Sequence, residues 1–206
     1  MGIHSNKINI IGLPRLDGFS RERVTDVCKR PKILICTANT AYHNNLQKMS
    51  VKEALQDLKN VIENQLEIDC LWRISDELAI ELGVKANKES LTQVMQRANA
   101  IISFPSTVIL EGMLLGIPSA IIEYRAVPIY MKSAWEIRSK NHIYNVVHEL
   151  LNPPSEKTAY QNYCLDEELD YGSAGLKLKV VIKNLLKKNS LNDLIELKQE
   201  MNQSTL

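Results

Sequence analysis

The sequence predicts an α/β fold: a single doubly wound parallel sheet with helices on both faces and a helical C-terminal region. Two observations predict it. Short runs that are apolar at every position, such as Ile33-Leu34-Ile35-Cys36, recur along the chain. A run without alternation fits a strand covered on both faces, as in a parallel sheet. Between these runs lie stretches whose apolar residues recur at three- and four-residue spacing, the period of a helix with one buried face. Strands alternating with helices make βαβ units, whose right-handed crossovers place helices on both sides of the sheet. A length of 206 residues suits one domain with extra terminal segments.

Taken in order, Lys7–Gly12 reads as a short strand before a turn at Pro14, and Arg15–Arg30 as a polar linker with a helical turn or two. Residues 1–30 therefore form an N-terminal strand and linker segment, and residues 31–206 the sheet domain with its C-terminal helices. Ile33–Cys36 is a strand bounded by Pro31 and Asn39, followed by a polar stretch from Thr37 to Asn45. A helix opens at Ser50, whose pairing with Glu53 three positions on makes a capping box, and buries Val51, Leu55, Leu58, Val61 and Ile62. Ile68–Ile74 is the next strand. Helical stretches follow at Asp76–Leu82 and Ser90–Ala98, with Ser90 as cap. Ala100–Ser103 is a strand, Phe104-Pro105-Ser106 a sharp turn, and Thr107–Leu115 a helix that stops at Gly116. Ile117–Glu123 is a further strand, and helices near His142–Leu151 and Ala174–Lys188 pack on the sheet.

Composition narrows the function. With 45% apolar and 24% charged residues the chain is an ordinary soluble globular protein. A net charge of +1 gives no long-range attraction to nucleic acid. Lys177, Lys179, Lys183, Lys187 and Lys188 cluster near the C-terminus, either as a solvated helix face or as a weak peripheral contact with a membrane surface. Of the cysteines Cys28, Cys36, Cys70 and Cys164, none forms a CxxC pair or sits at zinc-ligand spacing from a histidine. Cys36 and Cys70 read as small buried hydrophobes in a reducing compartment. No signal-peptide pattern and no apolar run of ~18 residues is present, so a cytoplasmic location without a transmembrane segment is expected.

The chemistry-bearing stretch is Ser103 to Pro118, between two buried strands. Ligands of an open parallel sheet bind beyond the carboxyl ends of its strands. The Pro105-Ser106-Thr107 turn is expected at that edge, with Ser106 capping the helix. The helix's first N–H groups and its dipole favour an anion there, and the hydroxyls of Ser106 and Thr107 add donors, so the turn suits a pyrophosphate. Glu111 is the only charge in a long apolar run. It either sits on an exposed edge of the helix or accepts two vicinal hydroxyls, as a ribose presents. Gly112 permits a ligand or a neighbouring element to come close.

The Ser-Thr-x-x-x-Glu-x-x-x-x-Gly-x-Pro pattern from Ser106 to Pro118 resembles the donor-binding motif of glycosyltransferases of the two-Rossmann-domain B fold, particularly bacterial surface-polysaccharide members. Ala98–Ser103 is similar to the strand that precedes the motif. Ile121-Ile122-Glu123-Tyr124, Pro128 and Ser133-Ala134-Trp135 are similar to the segment after it, and His142–Pro154 and Tyr160–Leu169 add to the likeness over residues 32–170. The resemblance implies a Rossmann-like, nucleotide-sugar-binding domain. Ser106 and Thr107 would contact the donor's phosphates and Glu111 its ribose. The loop from Thr37 to His43, with Asn39 and Thr40, would face the diphosphate or sugar. Arg73 would be a phosphate partner or a surface salt bridge. Tyr124 and Arg125 would touch the base or sugar, or serve edge packing. Proteins of this family have two such domains, so the resemblance also implies a separate N-terminal acceptor-binding domain or subunit that this chain lacks. It makes transfer by this chain alone doubtful.

Other residues are weaker candidates. His43, in a polar loop, is either a general base or a solvated histidine. His142 and His148 are taken as structural, and Trp72 and Trp135 as packing. Asp166, Glu167, Glu168 and Asp170 form an acidic cluster without the spacing of a calcium loop and read as a solvated turn. No Gly-x-Gly-x-x-Gly, phosphate-loop or Gly-x-Ser-x-Gly pattern occurs. The expected function is donor binding within a glycosyltransferase of surface-polysaccharide or glycolipid synthesis, with a nucleotide sugar as substrate, no metal and no other cofactor. A sugar-nucleotide 2-epimerase, or a non-catalytic assembly module on the same fold, is the alternative.

Overall fold

The apolar runs become strands for the reason their pattern implies: both faces are covered. The computed structural model describes residues 9, 11–17, 30–37, 45–125, 127–169 and 173–187. Its strands are β1 (Lys32–Cys36), β2 (Asp69–Arg73), β3 (Ala100–Ser103), β4 (Ser119–Ile122) and β5 (Trp135–Ile137). Among the described residues they form one sheet in the order β2-β1-β3-β4-β5, and every pairing is parallel. The doubly wound prediction holds. On one face Ile33, Ile35, Ala100, Ile102, Ala120, Ile122, Trp135 and Ile137 form a continuous buried cluster. That cluster takes in side chains of α1 (Asn45–Gln65), α2 (Asp76–Leu82) and α5 (Lys140–Leu151). The other face carries α3 (Leu91–Arg97), α4 (Thr107–Leu114) and α6 (Ser155–Glu168), where Met95, Ile109, Met113 and Leu165 are buried.

The helix boundaries show where local signals win. Ser90 caps α3 through a capping box with Gln93. Ser75 caps α2, accepting from Leu78 N–H at 3.3 Å. Gly83 (φ 63°) and Gly116 (φ 69°) supply the left-handed residues after α2 and α4. Ser50 is a correction: α1 begins at Asn45 and runs through Ser50, so no capping box opens it. Leu46, Gln47, Lys48 and Met49 are good helix formers, which carries the helix upstream of its first buried residue. The strand expected from Ile117 starts instead at Ser119, because Ile117 N–H closes α4 on the Gly112 carbonyl at 2.9 Å. Half of the strand read at Lys7–Gly12 lies outside the described residues, and Asn9, Ile11 and Gly12, which are described, belong to no strand.

Two elements are additions. β5 has only three residues, too few for a pattern. α6 buries only Gln161, Cys164 and Leu165. Asp166, Glu167 and Glu168 are solvated, as expected, but belong to the last turn of the helix, and Asp170 is outside the described residues. Trp72 and Trp135 are core residues, as expected. Cys36 is buried, whereas Cys70 is only half-buried, and Cys36, Cys70 and Cys164 are free thiols.

The chain forms two compact units: Phe19–Glu168, which holds the sheet, and Met1–Gly18 with Leu169–Leu206. In the second, a 3-10 turn (Pro14–Leu16) precedes Asp17, and α7 covers residues 174–187. Asp17 caps α7, its carboxylate accepting from Ala174 N–H (2.9 Å), Gly175 N–H (2.7 Å) and Ser173 Oγ (2.8 Å). Among the described residues, no helix is long and apolar enough to cross a membrane.

Candidate functional site

Strand order locates the site. β1 has β2 on one side and β3 on the other, so the connections leave the middle of the sheet in opposite directions. The carboxyl ends of β1 and β3 thus flank a switch point, where an open parallel sheet leaves a crevice. The pairing register puts Arg73, Cys36 and Ser103 in one row across that edge. Immediately beyond β3, Phe104-Pro105-Ser106 leads into α4, whose N-terminus lies at the same edge. The placement expected for Ser106 and Thr107 is therefore observed.

The role expected of the Ser106 side chain is corrected. Ser106 holds the N-cap position with extended backbone (φ −162°, ψ 161°), yet its hydroxyl makes no capping bond. It lies 3.2 Å from Ser103 Oγ, which itself donates to the Phe104 carbonyl at 2.9 Å. The start of α4 contains no acidic residue, so the dipole at that end meets no compensating carboxylate in the first turn.

Glu111 lies one turn into α4 and is 6% exposed, so the exposed-edge alternative is overturned. Its position shows in its effect on Cys36. Burial pushes the Cys36 thiol up to about 12; Arg73 opposes this and the Glu111 carboxylate adds to it. Cys36, at the end of β1, thus lies within electrostatic reach of both Arg73 and Glu111. Gly112 serves a neighbouring element rather than a ligand: a Cβ there would sit 2.5 Å from Ile101 Cδ1 and 2.6 Å from Ser119 Oγ. α4 is held against β3 and β4 at a distance only glycine allows.

The remaining candidates separate. Arg73, at the end of β2, donates from Nη1 to the Glu89 carbonyl at 2.5 Å, and Glu89 pairs with Arg97. The expected surface salt bridge is thus replaced by a bond to backbone. Tyr124 turns toward α1, its hydroxyl 3.4 Å from Asp57 Oδ2, and its phenol is pushed up by burial and by Asp57. Arg125 grips Glu123 through Nε (2.7 Å), Nη2 (2.5 Å) and its own N–H (3.0 Å). Glu123 is 1% exposed and follows directly on β4, so this pair sits at the same carboxyl edge. Sequence reasoning gave Glu123 no role; the available signal was a carboxylate following directly on the apolar Ala120-Ile121-Ile122 run. Asn39, Thr40 and His43 lie outside the described residues. His142 is exposed, its Nδ1 accepting from Arg138 N–H at 3.3 Å, and His148 is exposed on α5. Among the described residues no cluster of His, Cys, Asp or Glu could hold a metal ion.

Gln161 was not singled out for a role either. Fully buried on α6, it accepts from Ser119 N–H at 2.9 Å and donates to the Ile117 carbonyl at 3.2 Å, fastening α6 to the start of β4. A cleft of about 360 Å³ lined by Lys59, Ile62, Glu63, Ile68, Asp69, Cys70 and Trp72 opens beside α1 and the outer strand β2. Its lining begins before β2 and does not include the switch-point residues.

No family model matches the sequence, and no curated protein matches it. Solved structures do match. The S. aureus MnaA–UDP co-structure superposes with a TM-score of 0.60 at 15% identity, over 90% of this chain and 55% of that one. A putative UDP-N-acetylglucosamine 2-epimerase from Listeria monocytogenes gives 0.57 at 10%, over 91% and 56%. The wall teichoic acid polymerase TagF, soaked with CDPG, gives 0.52 at 14%, over 93% and 53%. The chain spans about half the length of each, and it has the Rossmann-like α/β fold found in that half.

Proposed function

We propose that this chain binds a nucleoside-diphosphate sugar, as the donor half of a glycosyltransferase of surface-polysaccharide or glycolipid synthesis. One observation carries the reading: the N-terminus of α4 opens at the switch point with a buried carboxylate, Glu111, one turn behind it. The backbone N–H groups and dipole of that end suit the diphosphate, with Ser106 and Thr107 adding hydroxyls. Glu111 accepts from the ribose hydroxyls. Arg73, at the same edge, supplies positive charge, and Asn39, Thr40, Tyr124 and Arg125, the last already paired with Glu123, complete the donor contacts. In transfer, the helix end stabilises the charge that develops on the leaving diphosphate, a role that calls for no metal. His43 is the candidate base. The acceptor is held by a separate N-terminal domain or subunit. Free thiols at Cys36, Cys70 and Cys164 agree with a cytoplasmic setting. The fold shared with a UDP-bound and a CDPG-soaked protein supports the nucleotide part of this reading.

Calorimetry with a panel of nucleoside diphosphates tests it. Micromolar binding of one base is expected, weakened about 10- to 100-fold by Glu111→Ala, the loss of a charge-assisted hydrogen bond. Failure of every nucleotide to bind would favour the non-catalytic assembly module. The 2-epimerase reading has its own support in the superposition on the putative UDP-N-acetylglucosamine 2-epimerase. Epimerisation of free donor with no acceptor present would select it.

A further inference from the structure

The exposed residues of α7 carry a pattern that neither fold nor donor site uses. Residues 174–187 contain Lys177, Lys179, Lys183 and Lys187 and no acidic residue. At helical spacing Lys179 and Lys183 are one turn apart and form a ridge. Leu176 and Val180 form the next ridge on one side, and Ile182 and Leu186 the next on the other. These apolar side chains are 64%, 56%, 46% and 63% exposed, and Lys179 and Lys183 are exposed with them. Asp17 fixes the start of the helix by its three accepted bonds.

Two kinds of occupant suit exposed apolar ridges, and charge separates them. The buried centre of a protein–protein interface is depleted of lysine, whereas here lysines run between the apolar ridges. Helices that lie on membranes combine these features: lysines reach headgroup phosphates while neighbouring aliphatic side chains enter the interface. We propose that α7 is a docking face for an anionic lipid surface, with Lys179 and Lys183 over the phosphates and Leu176, Val180, Ile182 and Leu186 entering beside them. The proposal is independent of the donor-site reading.

The test is flotation of the full chain with phosphatidylcholine vesicles, with and without phosphatidylglycerol. Binding to the anionic vesicles alone is expected, falling as salt is raised. Lys179→Gln with Lys183→Gln should lower the partition coefficient about 30-fold, at the usual contribution of a lysine near such a surface. Ile182→Ser with Leu186→Ser should lower it more than about tenfold. All four positions are exposed, and circular dichroism checks that both variants keep their helix content. Equal binding to neutral vesicles, or binding unchanged in the lysine variant, overturns the proposal. So does absence of vesicle binding, including the case in which light scattering finds a second copy covering this face.

Discussion

Gly112→Ala sets two physical effects against each other, and the structure decides the sign. Helix propensity alone favours alanine inside a helix by about 1 kcal/mol. Packing opposes it, because the new methyl would lie 2.5 Å from Ile101 Cδ1 and 2.6 Å from Ser119 Oγ, far inside the normal contact distance of about 3.5–4 Å. Both neighbours are fully buried. The Ile101 methyl has no solvent to move into, and Ser119 Oγ turns away only by giving up its 2.9 Å bond to the Ile117 carbonyl. Overpacking of this kind costs about 1–3 kcal/mol. The net expectation is destabilisation of up to about 2 kcal/mol, or a few degrees in Tm at roughly 2–4 °C per kcal/mol. Urea unfolding followed by circular dichroism measures it. Ile101→Val removes Cδ1, so the double variant should recover part of the loss, with a favourable coupling on the order of 1 kcal/mol. A Gly112→Ala protein more stable than the parent, with no coupling to Ile101, would refute the close approach of α4 to the sheet.

Two further outcomes rest on single side chains. Gln161→Leu leaves the buried Ser119 N–H without its partner, while the Ile117 carbonyl keeps the Ser119 hydroxyl; a loss of about 1–3 kcal/mol in urea unfolding is expected, and an unchanged midpoint would show that the amide is not seated there. The carboxyl of Asp17 is held below its ordinary value of 3.8, first by the Gly175 N–H and then by Ser173. A folded value below the unfolded one stabilises above pH 3.8, and that stabilisation fades as pH falls through the lower folded value. The helical signal of α7 should therefore decline with acid in the parent and be less acid-sensitive in Asp17→Asn, as read by circular dichroism or amide exchange of residues 174–187.

The parts of the fold that sequence made legible are those in which local chemistry and tertiary burial agree. Ile33–Cys36 and Ala100–Ser103 are apolar at nearly every position because both of their faces are covered, and Gly83 and Gly116 mark helix ends because only glycine readily adopts that backbone. Where the reason is tertiary, the sequence is silent. β5 exists because β4 offers it an edge, and α6 is held through Gln161 by two groups 42 and 44 positions away. The candidate site divides the same way. The helix start at Ser106 and the carboxylate at Glu111 follow from spacing. That the Ser106 hydroxyl turns to Ser103 rather than capping, and that Arg125 is gripped by Glu123, depends on which strands lie side by side.

The same geometry makes Glu111 ambiguous for a diphosphate and useful for a nucleotide. Four residues of helix separate Thr107 from Glu111, a rise of about 6 Å. A phosphate at the start of α4 would feel the dipole and the N–H groups, but also the Glu111 charge. Two unit charges about 7 Å apart repel by about 2 kcal/mol at an effective dielectric constant near 20, comparable to what the helix end contributes. A ligand that also brings donors to the carboxylate, as vicinal hydroxyls do, offsets that repulsion. Glu111→Gln should therefore act oppositely on two ligands: inorganic pyrophosphate should bind about 30-fold more tightly, while the preferred nucleoside diphosphate binds more weakly. The ratio of the two affinities, measured by calorimetry, isolates the ribose contact from any general disturbance of α4, which would weaken both. Equal changes in the two affinities would remove Glu111 from the ribose and leave the helix start as a phosphate site alone.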